Sequence, residues 1–142
     1  MTLIVAIAVA LLLAAISLVH LIWAFGSTWP AGNEKALARM VTGFPGATRM
    51  PPRTASAAVA AVLFAAALWA LAMTGISASA LLTLGGAALA GVFLLRGLIA
   101  YTPWWRARTP EQPFASLDRK YYAPLCLALA AGFAVLTAAR IV

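Results

Sequence analysis

LIVAIAVALLLAAISLVHLIWAF, residues Leu3 to Phe25, decides the fold. It contains no Asp, Glu, Lys or Arg. At about 1.5 Å per residue, a helix of this length crosses a hydrocarbon layer roughly 30 Å thick. Three further apolar runs are Thr54 to Thr74, Ala80 to Tyr101 and Tyr122 to Ala139. Composition points the same way: 65% of the residues are hydrophobic and 9% charged, against roughly 25% charged in a soluble domain. The expectation is an all-α fold, a polytopic membrane four-helix bundle, with residues 1–142 as a single transmembrane domain. The first run has no basic residue ahead of it and exceeds the roughly 7–15 apolar residues of a secretory signal core, so it reads as a retained helix.

The net charge of +7 is unevenly placed. Lys35, Arg39, Arg49 and Arg53 lie between runs one and two, and Arg106, Arg108, Arg119 and Lys120 between runs three and four. Arg96 sits inside run three and Arg140 near the C-terminus. With four spans, both basic loops fall on one side, opposite Arg140 alone. The positive-inside bias then places both loops in the cytoplasm and both termini outside. Basic loops beside spans are an orientation signal and attract anionic lipid, so nucleic acid is not an expected partner.

The first loop, Gly26 to Arg53, has structure of its own. Asn33 suits an N-cap for a helix over Glu34 to Thr42 and Gly43 suits its stop. Leu37, Met40, Val41 and Phe44 recur at i, i+3, i+4 and i+7, which predicts a short amphipathic helix along the membrane interface. The connection Gly75 to Ser79 is short and uncharged, so spans two and three should form an antiparallel hairpin. Small residues four apart invite close helix contact. Such sets are Ala57, Ala61 and Ala65, then Gly86 with Ala90, Ala87 with Gly91, and Ala128 with Gly132.

Ionisable side chains at membrane depth are costly, which makes the few present here candidates for function. Ser17, His20 and Trp23 share one face of span one by their spacing of three. Arg96 lies near the end of span three. Asp118, Tyr122 and Cys126 recur at steps of four and would share a face of a continuous helix, although Pro124 removes a donor to the Lys120 carbonyl and should kink it. His20, Arg96 and Asp118 all lie toward the span ends that face the basic loops, so an antiparallel bundle brings them to one depth with Trp23, Trp29 and Tyr122. These six are the candidate ligand-binding residues. Each has a bland reading beside it: an interfacial belt for the aromatics, snorkelling for Arg96, a packed ring for His20 and a small core hydrophobe for Cys126. A single cysteine excludes an intramolecular disulfide, and a single histidine excludes haem held between two histidines of one chain. No set with metal-ligand spacing is present, and no cofactor can be named.

A resemblance appears at the same residues. His20-Leu-Ile-Trp23-Ala24-Phe-Gly26 with Trp29-Pro30, then Gly43-Phe-Pro45-Gly46 and Arg49-Met50-Pro51-Pro52, and finally Leu117-Asp118-Arg-Lys-Tyr-Tyr122-Ala-Pro124-Leu125-Cys126 resemble the signature segments of the bacterial domain-of-unknown-function 3995 family. The resemblance covers nearly the whole chain, and its final segment is the most specific. It implies a small four-helix protein of a bacterial inner membrane and carries no activity with it. Ser27 departs from the pattern, which has a second glycine after Gly26.

These residues support three functional readings. The leading one is a binding or transport-like protein whose polar pocket near the cytoplasmic face takes a lipid, a quinone or a small anionic ligand. The second is an intramembrane enzyme with His20 as acid or base and Asp118 or Arg96 orienting the substrate. The third is an accessory subunit of a larger membrane complex. Partners expected beside the bilayer are such a ligand and further copies of the chain in a homo-oligomer. The charge asymmetry is testable directly. With alkaline phosphatase fused to the C-terminus, the enzyme should be active, and a fluorescent protein at the same site should stay dark; a bright fluorescent protein would reverse the orientation.

Overall fold

The computed structural model describes residues 1–75 and 79–141. In chain order the helices are α1 (Thr2–Ala24), α2 (Glu34–Val41), α3 (Arg53–Ala72), α4 (Ala80–Ile99), α5 (Pro103–Arg108), α6 (Phe114–Leu117) and α7 (Ala123–Ile141), with a π-helical turn over Asp118–Tyr122 joining α6 to α7. No strand occurs among the described residues. Four helical stretches, Thr2–Ala24, Arg53–Ala72, Ala80–Ile99 and Phe114–Ile141, are long and apolar enough to cross a membrane. This is the architecture of a multi-pass membrane protein. The expected tight connection after α3 includes residues 76–78, which lie outside the described residues.

The long helices pack as two pairs, α1 along α3 and α4 along α7, and the pairs meet through α1 and α7. Ser17 Oγ donates to the Ala60 carbonyl at 2.7 Å, which gives the hydroxyl a partner inside the α1–α3 seam. Gly97 lets α4 approach α7, because a Cβ there would meet Leu127 and the Ala123 carbonyl. The main core contains Ala6, Val9, Ala10 and Leu13 of α1, Ala66, Ala67, Ala70 and Met73 of α3, and Leu129, Phe133 and Leu136 of α7. The Phe93 and Phe133 rings stack against it with centroids 6.0 Å apart. By chain direction, the α1 and α3 members of this core and Leu136 lie in the half of the bundle away from the basic loops, and Leu129 sits nearer the middle.

The expected small-residue seams are corrected in part. Ala57, Ala61 and Ala65 are exposed, as are Ala87, Gly91 and Ala128. α3 instead buries Ser56, Ala60, Ala66, Ala67 and Ala70. Alanine recurs around most of this helix, so a spacing of four is satisfied on several faces at once and does not choose among them. Gly86 and Gly132 do serve close approach, the first against Met73 and Thr137, the second against Val9.

The last helix also departs from expectation, since it is helical from Phe114 onward instead of beginning near residue 122. The Ala123 N–H bonds to the Asp118 carbonyl five residues back. This wider turn absorbs Pro124 without ending the helix. It also breaks the supposed regular steps from Asp118 to Tyr122 to Cys126, because a π turn rotates the helix on its N-terminal side relative to the helix on its C-terminal side.

α3 and α4 touch mainly at the end remote from the basic loops. Trp69 Nε1 donates to the Leu82 carbonyl at 3.2 Å, the Trp69 ring fills the space beside Gly85, and Met73 lies on Gly86. Arg140 clamps this corner. Its Nη1 donates to the Met73 carbonyl at 2.9 Å and to the Gly75 carbonyl at 3.2 Å, and its Nε to Thr83 Oγ1 at 3.2 Å. The guanidinium thereby takes up carbonyls that the end of α3 leaves without helical partners.

At the opposite end the two basic loops join. Asn33 Oδ1 accepts from the Ala36 N–H at 2.9 Å and starts α2, while Gly43, at φ +69°, lies just past its end with Phe114 packed against it. Leu37 and Ala38 are buried and Lys35 is exposed. Phe44, expected on the apolar face, lies beyond the helix and is exposed. Arg39 pairs with Glu111 of the other loop at 3.1 Å, and the Glu111 N–H donates to the Gly43 carbonyl at 3.2 Å.

The Arg140 clamp yields a stability prediction. Hydrogen bonds to charged groups contribute about 1.5–3 kcal/mol each at most, so Arg140→Ala should cost on that order in detergent unfolding. Arg140→Lys should recover only part, because one ammonium cannot span the same carbonyls. An unchanged melting midpoint for Arg140→Ala would show that the clamp is incidental.

Candidate functional site

Asp118 is fully buried, with 0% of its side chain exposed. A carboxylate so placed needs donors on both oxygens. Arg96 Nη2 of α4 donates to Oδ1 at 2.7 Å, and Trp105 Nε1 of α5 donates to Oδ2 at 2.9 Å. The Arg96 guanidinium also lies 5.5 Å from the centre of the Trp105 ring. Proline starts α5, and Thr102 Oγ1 caps it by accepting from the Trp105 N–H at 3.2 Å, which fixes where that indole points. The sequence brings Arg96, Asp118 and Trp105 to one depth by their place at the basic-loop ends of the spans, but does not pair the indole with the carboxylate. A Trp beside a span carries no sign of which carboxylate it will meet.

Arg96 is not used up by this pair. A guanidinium has five N–H donors, and its Nη1 is buried without a hydrogen-bond partner among the described residues. Arg96 forms part of the wall of a cavity of about 520 Å³, within the roughly 300–1,000 Å³ usual for small-molecule sites. The deep part is apolar, lined by Ile16, Leu63, Phe93, Leu125 and Leu129. Polar atoms enter from His20, Tyr122 and Cys126. Trp29, Met40 and Phe114 come from the loop end.

Of the six candidate residues, His20, Trp23, Trp29, Arg96 and Tyr122 line this one cavity. Asp118 stands behind Arg96 and holds it. His20 Nδ1 lies 2.9 Å from the Ile16 carbonyl. Because a carbonyl only accepts, Nδ1 carries the proton, and in the neutral ring Nε2 is then an acceptor. Trp23 packs on His20 with ring centroids 4.9 Å apart, and its Nε1 donates to the Trp29 carbonyl at 2.6 Å. The Tyr122 hydroxyl donates to the Met40 carbonyl at 3.3 Å and so ties α2 to the last span. Cys126, read as a core hydrophobe, is half-buried at the cavity wall. Ser17, on the same face as His20 by spacing, is turned into the α1–α3 seam.

The buried pair predicts strong coupling. Removing one partner leaves the other charge uncompensated, at about 3–5 kcal/mol. Arg96→Leu and Asp118→Leu should each lower the detergent melting temperature steeply, and the double variant should lose less than the sum, with a coupling of about 0.5–3 kcal/mol. Additive losses would mean that the two side chains do not depend on each other.

A family model described as "Protein of unknown function (DUF3995)" matches residues 13–133. No curated protein and no solved structure matches the chain. The matched region contains the whole cavity wall, the Arg96–Asp118 pair and both basic loops, and on that match the chain belongs to the DUF3995 family.

Proposed function

We propose that this protein binds, and in its cellular setting moves or presents, a small amphipathic molecule in the cavity at its basic-loop end, with Arg96 holding the polar group. The observation that carries this reading is a largely apolar cavity of about 520 Å³ whose wall includes the Arg96 side chain. An anionic or strongly polar head in that cavity would meet the charge of the Arg96 guanidinium. His20 Nε2 offers a complementary acceptor for a hydroxyl, and Trp23 and Trp29 supply flat apolar surface. The chain sits in a bacterial inner membrane with both basic loops in the cytoplasm, by the loop charge asymmetry, and α2 lies along the interface there. Lipids, quinones and small anionic amphiphiles all fit this description.

Native mass spectrometry of gently solubilised protein tests it. A retained molecule is expected, lost in Cys126→Phe, whose ring takes up part of the cavity. No retained mass in the wild type, or equal retention in Cys126→Phe, would remove the binding reading. The acceptor nitrogen of His20 favours a second reading, an intramembrane enzyme with His20 as base. Under the binding reading His20→Ala retains the same molecule in smaller amount, whereas under the enzymatic one a different mass, the unconverted substrate, accumulates.

A further inference from the structure

Building on the cavity as a binding site, we infer that it is reached sideways from the bilayer, through the gap between α3 and α4, by a single-chain amphiphile with an oxyanion head. Three helix seams are closed by packing: α1 with α3, α4 with α7, and α1 with α7. The fourth is not. α3 and α4 meet through Trp69, Met73, Leu82, Gly85 and Gly86 at one end. Toward the other end Val59 and Leu63 of α3 and Phe93 and Arg96 of α4 line opposite sides of the cavity.

The loop end is covered. Trp29, Pro30, Met40, Val41 and Phe114 form part of the wall there, and three ties hold that cover in place: Trp23 to the Trp29 carbonyl at 2.6 Å, Tyr122 to the Met40 carbonyl at 3.3 Å, and Arg39 to Glu111 at 3.1 Å. The lips of the α3–α4 gap are apolar and exposed: Val59 is 42% exposed, Val62 65%, Val92 63% and Leu95 67%. A hydrated anion would lose its water in passing such lips, which is costly. An acyl or isoprenoid chain passes them without that penalty.

The depth of the groups fixes the pose. Arg96 lies near the loop end of α4, at the level where headgroups reside, while Leu63, Phe93 and Leu129 lie deeper. The head is therefore placed against the Arg96 side chain and the chain runs inward or back out between α3 and α4. Eight basic residues in the two loops favour an anionic head at this surface.

A long-chain fatty acid with a diazirine on its chain, held in vesicles with the purified wild-type protein, is the probe. Photolabelling should map to Ile16, Leu63 and Leu129 inside the cavity. Val59→Trp, which obstructs the lip, should lose most of that labelling, whereas Ala61→Trp, at an exposed position of the same helix outside the cavity lining, should retain it. Inorganic phosphate in the buffer should not compete. Interior labelling unchanged in Val59→Trp overturns the lateral route while the binding reading stands on its retained mass. Labelling confined to outward residues such as Leu11 and Leu81 overturns the route, and retained mass in the native spectrum then decides separately whether the binding reading survives. Competition by phosphate overturns the membrane source of the ligand. Should Val59→Trp fail to fold, Val59→Ala decides: a wider mouth labels faster if the route is lateral, and an unchanged rate overturns it.

Discussion

A fully buried carboxylate is the constraint around which the basic-loop half of this bundle is organised. Asp118 has no exposed side-chain surface, and its two oxygens are met from two different helices, by Arg96 of α4 and Trp105 of α5. Such an arrangement is stable only when every partner is in place, because the low dielectric that strengthens the bonds also magnifies the cost of losing one. The pair thus fixes α4 and α5 relative to the start of the last span. The π-helical turn serves the same end. It carries the chain past Pro124 and separates the facing of Asp118, toward Arg96, from that of Tyr122 and Cys126, toward the cavity. Pairing to Asp118 holds the Arg96 side chain at the cavity wall.

The bundle is dense at one end and hollow at the other. The main core draws on the remote halves of α1, α3 and α7, where alanines and Leu13, Phe133 and Leu136 interlock, and Arg140 closes that end. Within a bilayer, lipid is as apolar as leucine, so helices associate through close packing and polar ties rather than through exclusion from water. Packing supplies the dense half. In the hollow half the helices are held by ties at its periphery, among them Ser17 with Ala60, Arg96 with Asp118 and Arg39 with Glu111. A cavity of about 520 Å³ lies between these ties, where uniform packing along the helices would leave none.

Much of this is legible in the sequence for definite physical reasons. Spans show themselves because backbone groups in hydrocarbon demand long helices with few charges. Asn33 and Gly43 mark α2 because capping chemistry is local. His20, Arg96 and Asp118 can be brought together because span ends share a depth whatever the packing. The failures are equally instructive. Ala57, Ala61 and Ala65 have the spacing of a seam and yet face outward, since a helix apolar all round gives no facial signal. Neither Trp105, the second partner of Asp118, nor the Arg140 clamp stands out in the sequence, because both depend on which loop folds back over which helix. The separation of α3 from α4 is hidden for a related reason: a short connection implies neighbours, but Trp69 and Met73 hold the two helices together only near that connection.

The central claim is that the basic-loop half encloses a site for an amphipathic molecule, framed by Arg96 and open between α3 and α4. An experimental structure of the wild-type chain in lipid nanodiscs, at a resolution that shows side chains, tests it most directly. The account predicts elongated density beside the Arg96 side chain that extends past Leu63 and Phe93 toward the α3–α4 gap, with Asp118 still held by Arg96 and Trp105. A collapsed interior with α3 packed along the full length of α4 would contradict it.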